Sequence, residues 1–151
     1  MEAGVRCVSV SLSDFDTHSD NFPRMRHLGP ILDHALWALV TDLEERGMLD
    51  DVTVIVWGEF GRTPKINKNA GRDHWPNCYT AVMAGGGIKG GYVCGSSDRL
   101  GAYPANSPVR PADLQATMLT LFGIDPAEEA RDSLGRPFAI CGGKPLERLF
   151  S

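Results

Sequence analysis

Asp16, His18, Glu59, Asp73 and His74 are the residues whose types and grouping could do chemistry in this chain. They fall in three short polar runs: Asp16-Thr17-His18, Glu59-Phe60-Gly61-Arg62 and Arg72-Asp73-His74-Trp75. Together they offer carboxylate oxygens and imidazole nitrogens, with no thiolate. That mixture suits Zn, Mn or Fe, or Ca where the imidazoles stay outside the coordination sphere. Arg62 and Arg72 accompany them, and a guanidinium clamps a phosphate or sulfate group through two parallel hydrogen bonds. Asp14, Asp16 and Asp20 have a plainer competing use, because Asp is favoured in turns. His27 and His34 stand on or beside a helical stretch, away from the acidic runs, and read as structural. Trp57 and Trp75 read as packing residues near the site.

Chemistry of this kind needs elements that bring the three runs together. Val5 to Leu12 (VRCVSVSL) is short, rich in valine and bounded by Gly4 and Ser13-Asp14, which predicts a strand. Leu28, Ile31, Leu32, Ala35, Leu36, Leu39, Val40 and Leu43 recur at helical spacing, predicting a helix over Pro30–Arg46 that stops at Gly47. Val52 to Trp57 is nearly continuous in apolar residues, as strands buried on both faces are. Strand, helix and strand in that order read as a βαβ unit with parallel pairing. Both acid-bearing loops would then leave the sheet at the carboxyl ends of their strands, the edge where open α/β folds bind ligands. Cys78 to Ala84 reads as a third strand, Tyr92 to Cys94 as a fourth, and Pro111–Phe122 as a second helix. Gly85 to Gly87 lack the spacing of a phosphate-binding loop and read as a turn. The predicted fold class is therefore α/β, a mainly parallel sheet flanked by helices.

Composition excludes several classes. The 151 residues form one domain, residues 1–151, on length alone. The formal charge is −4 and no basic stripe occurs, so nucleic acid is not an expected partner. No apolar run approaches the roughly 18–20 residues of a membrane span, and the first residues do not read as a signal peptide. Cys7, Cys78, Cys94 and Cys141 form no CxxC pair, which excludes a zinc knuckle, and Cys7 and Cys78, in apolar strand-like runs, read as small buried thiols in preference to a disulfide framework.

FDTHSDNF, WGEFGRTPKIN, GRDHWP and DLQATMLTLFGID, in that order and spacing, resemble the C-terminal part of the bacterial domain-of-unknown-function family 1501. The resemblance covers about Glu2 to Phe150. That family looks like a distant branch of the alkaline phosphatase/sulfatase superfamily, and its members are usually longer and exported. The resemblance implies an incomplete sulfatase-like domain, a divalent metal (Zn, Mn or Ca), and a small anionic ester or anion as ligand. It implies that Asp16 and His18 hold the first ligand position, Glu59 the second acid and His74 the late histidine. Asp73 joins the metal set, and Arg62 is the catalytic candidate. Phe60 stands where the superfamily has His or Asn, and the early strand that carries the nucleophile has no counterpart here. The expectation is a metal-dependent module of the phosphate/sulfate ester hydrolase class, inactive alone and capable of self-association. The alternative is a non-catalytic binding domain that retains the fold. A flavodoxin-like cofactor binder is excluded by the acidity of Ser13 to Asn21.

Overall fold

The computed structural model describes residues 1–151. Helix α1 spans Asn21–Glu45 and helix α2 spans Pro111–Leu121. Between and after them lie eight short strands: β1 (Val54–Val56), β2 (Gly61–Arg62), β3 (His74–Trp75), β4 (Val82–Ala84), β5 (Ser96–Ser97), β6 (Pro104–Asn106), β7 (Glu129–Arg131) and β8 (Pro137–Ala139). They pair as β1–β4, β2–β3, β5–β6 and β7–β8, each pair antiparallel.

The predicted parallel sheet is therefore incorrect. Val5 to Leu12 has the alternation of a strand, but it enters no ladder and is exposed throughout. The β1 strand pairs with the chain that returns after the site loops, in the register Val54↔Ala84, Ile55↔Met83 and Val56↔Val82. Hydrophobic alternation is a local property, whereas the choice of partner and direction is not, so the pattern could not report it. Tyr92 to Cys94 is likewise no strand, and the neighbouring Ser96–Ser97 pairs instead.

The helices fare differently. Helix α2 ends one residue before its predicted limit. Helix α1 begins nine residues earlier than Pro30, which sits in its interior and costs it one N–H donor. Phe22 and Met25 extend the apolar spacing back from Leu28, but a proline is most at home in a helix's first turn, and reading Pro30 that way sets the expected start too late.

Only Leu43, Ala116, Cys141 and Leu146 form a buried apolar core. Three of them lie where the C-terminal segment docks on α2. Asp113 accepts the Lys144 N–H at 3.1 Å, and the buried Thr117 hydroxyl accepts the Leu146 N–H at 2.9 Å while donating to the Asp113 carbonyl at 2.7 Å. The Arg110 guanidinium and the Lys144 N–H hold the Asp113 carboxyl far below the usual carboxylate range.

Candidate metal centre

Two loops build the site, and main-chain bonds join them. The Arg72 N–H donates to the Thr17 carbonyl at 2.8 Å. From the other side, the Asp20 and Asn21 N–H groups donate to the carbonyls of Asn69 and Ala70 at 3.1 and 2.9 Å. Gly71 lies in the seam. A Cβ there would sit 2.0 Å from the His18 carbonyl carbon and 2.4 Å from the Ser19 nitrogen, so only glycine lets the loops approach this closely. Thr17 is fully buried beneath them, its hydroxyl donating to the Asn21 side-chain oxygen. The third run arrives through the β2–β3 ribbon, whose register places Arg62 opposite His74 and Gly61 opposite Trp75.

These elements bring Asp16, His18 and His74 together. His18 Nε2 lies 3.0 Å from Asp16 Oδ1, His74 Nε2 lies 3.1 Å from the same oxygen, and the two Nε2 atoms are 3.2 Å apart. The three donor atoms form a nearly equilateral triangle. An ion bound at about 2.0–2.1 Å with tetrahedral angles would need edges of about 3.3 Å, and octahedral angles need slightly less. The triangle thus fits one face of the coordination shell of a first-row divalent ion. The Phe60 ring packs against the His74 ring at 4.5 Å between centroids, and the His18 and His74 rings lie 4.8 Å apart.

The remaining candidates surround the triangle and do not enter it. Asp73 Oδ1 accepts from His18 Nδ1 at 2.9 Å. Because a carboxylate only accepts, this bond places a proton on His18 Nδ1 and turns Nε2 toward the triangle. Glu59 is bound at 2.9 Å by Arg62, whose other terminal nitrogen donates to Asp16. Arg62 is only 18% exposed, and both guanidinium ends are engaged by carboxylates. Arg72 spends its guanidinium on the Thr63 and Pro64 carbonyls. His27 and His34 lie on α1 outside the cluster, and His34 stacks on Trp37. Trp75 packs edge-on against Tyr103, but Trp57 is 55% exposed and packs less than expected.

Loss of hydration works to raise the Asp16 carboxyl, yet hydrogen bonds from His74 and Arg62 outweigh it and hold the group below its ordinary value. Asp73 is lowered as well, first by the His18 hydrogen bond and then by Asn67. Both carboxylates are therefore ionised at neutral pH, as metal coordination requires.

The family model described as "Protein of unknown function (DUF1501)" matches residues 1–150. The chain belongs to this family. No curated protein and no solved structure matches it. The matched span includes the whole triangle, its surrounding carboxylates and Arg62. Sequence reasoning about this DUF1501 chain missed one participant, Asn67, which touches both His18 and Asp73. It lies in the connection between β2 and β3, and no metal-ligand or catalytic spacing singles out an asparagine there.

Proposed function

We propose that Asp16, His18 and His74 hold a divalent first-row metal ion in a module of the phosphate/sulfate ester hydrolase class, distantly related to the alkaline phosphatases and sulfatases. The observation that carries this reading is the triangle of donor atoms, two imidazole nitrogens and one carboxylate oxygen, with edges of 3.0–3.2 Å. Without a cation between them, two Nε2 atoms so close repel unless one is protonated. A nitrogen-rich face favours Zn over Mn and Ca, which prefer oxygen ligands. When bound, the ion would polarise a phosphoryl or sulfuryl oxygen and absorb developing negative charge.

The chain's own residues do the rest. Asp73 orients His18. Arg62 supplies a fixed positive charge beside Asp16, where it can turn one N–H toward an oxyanion once Asp16 is engaged by metal. No free hydroxyl nucleophile comes from Thr17 or Thr63. Thr17 donates to Asn21, and Thr63 donates to the Lys65 carbonyl while accepting the Asp73 N–H. The second reading is a metal- and anion-binding module without turnover of its own, in which these two hydroxyls serve the loops alone.

The test is a Co²⁺ titration of the intact chain followed by its ligand-field bands, with metal analysis for stoichiometry. One ion per chain is expected, and Asp16→Ala and His74→Ala should each weaken binding by at least about 100-fold, more than loss of an outer partner does. Binding that survives both substitutions would sink the assignment. Ester turnover by the metal-loaded chain would decide for the hydrolase, and sulfate or phosphate binding without turnover for the binding module.

A further inference from the structure

Asn67 makes full use of its side-chain amide. Its Nδ2 donates to the His18 carbonyl and to Asp73 Oδ1, each at 3.0 Å. Its Oδ1 accepts the N–H groups of Asn69 and Gly71, each at 2.9 Å. An amide has two such donors and two such lone pairs, and all four are satisfied. The orientation of the group is fixed by its partners: turned over, it would set NH₂ against two N–H groups and oxygen against a carbonyl and a carboxylate.

We propose that Asn67 is a positioning residue for the metal centre, acting on His18 through Asp73. The proposal rests on the metal-centre reading above. Asp73 Oδ1 is held between two donors, His18 Nδ1 and Asn67 Nδ2. The Asp73 side chain is 54% exposed, so without Asn67 it is free to swing into water. The His18 ring would then lose the bond that holds its Nδ1–H and fixes its orientation toward the ion. The second Asn67 bond, to the His18 carbonyl, fixes the main chain of the same residue. Asn67 thus sets both the position of the ligand's backbone and the orientation of its ring.

A double-mutant cycle separates this role from a general effect on the loop. Co²⁺ affinity is measured for the intact chain, Asn67→Ala, Asp73→Ala and the double variant. Asn67→Ala and Asp73→Ala should each lose about 10–100-fold, and the double variant should be little weaker than Asp73→Ala. Losses that multiply, or an Asn67→Ala chain that binds like the wild type, would overturn the proposal. Because Asn67→Ala also removes the acceptor for Asn69 and Gly71, a second variant guards against simple unfolding. Asn67→Asp keeps that acceptor and loses the donor. Nitrogen–proton correlation spectra of the metal-free chain should show a hydrogen-bonded His18 Nδ1–H in the wild type and loss of that bond's signature in Asn67→Asp. An unchanged Nδ1–H signal in Asn67→Asp also overturns the proposal. A wild-type chain that binds no Co²⁺ sinks the metal reading instead, and the Nδ1–H comparison then still decides whether Asn67 acts on His18.

Discussion

At Asp16 a single carboxylate oxygen serves three nitrogen groups: His18 Nε2, His74 Nε2 and the Arg62 guanidinium. Arg62 therefore competes with any metal for the same atom, and its second carboxylate, Glu59, keeps it in place. The two roles predict opposite effects of Arg62→Ala. Removing a neighbouring positive charge should leave Co²⁺ binding intact or tighten it, while sulfate or phosphate binding to the metal-loaded chain should weaken by about tenfold, the loss of one charge-assisted hydrogen bond. Titration calorimetry with each ligand in turn checks both. If anion affinity is unchanged, Arg62 serves only to balance the charge of Asp16 and Glu59.

Among the elements, the seam between the 17–21 and 67–72 loops and the α2 dock each depend on a few residues. Gly71→Ala places a methyl group inside the His18 backbone, so the loops must separate. It should cost at least about 2 kcal/mol of stability in denaturant melts and abolish tight Co²⁺ binding, a severity tied to backbone contact with no space to yield. Asp113 anchors the C-terminal segment through Lys144 and caps α2 through the Arg110 N–H. Its folded pKa lies below the unfolded one, so its contribution is present above about pH 5 and is lost as the pH falls toward the folded value. Asp113→Asn should therefore flatten the acid limb of a stability–pH curve and cost about 2 kcal/mol at neutral pH. A parallel acid limb in the variant would refute this. The helices were largely readable because their periodicity is local. Asp16, His18 and His74 stood out as polar residues in loops flanking apolar runs, and their donor atoms do come together, at 3.0–3.2 Å. The parallel sheet was misread because strand pairing joins distant segments, as Val54 and Ala84 show. Glu59 lies beside the triangle but outside it because Arg62, three residues on, binds its carboxylate.

The whole molecule exposes 10672 Å² of surface, whereas a compact chain of 16.4 kDa is expected to expose about 7,500 Å². The difference, about 3,000 Å², exceeds the area buried in a standard protein–protein interface. Exposed apolar side chains are spread along Val5, Val8, Val10 and Leu12 and along α1 at Ile31, Trp37 and Leu39. No helix is long and apolar enough to cross a membrane. The chain should therefore self-associate as its concentration rises, and a Val8→Lys/Val10→Lys variant should reduce this in sedimentation velocity. A monodisperse wild-type monomer at high concentration would contradict the expectation. The seam has one more consequence at this scale. The Asp20 and Asn21 N–H groups that reach across to Asn69 and Ala70 are also the first main-chain donors of α1, which a helix cannot satisfy from within. Pro23 follows and has no donor to add. The start of a 25-residue helix and the closure of the histidine site are thus one event, and the far-ultraviolet ellipticity of α1 becomes an optical reporter of a site that contains no chromophore of its own.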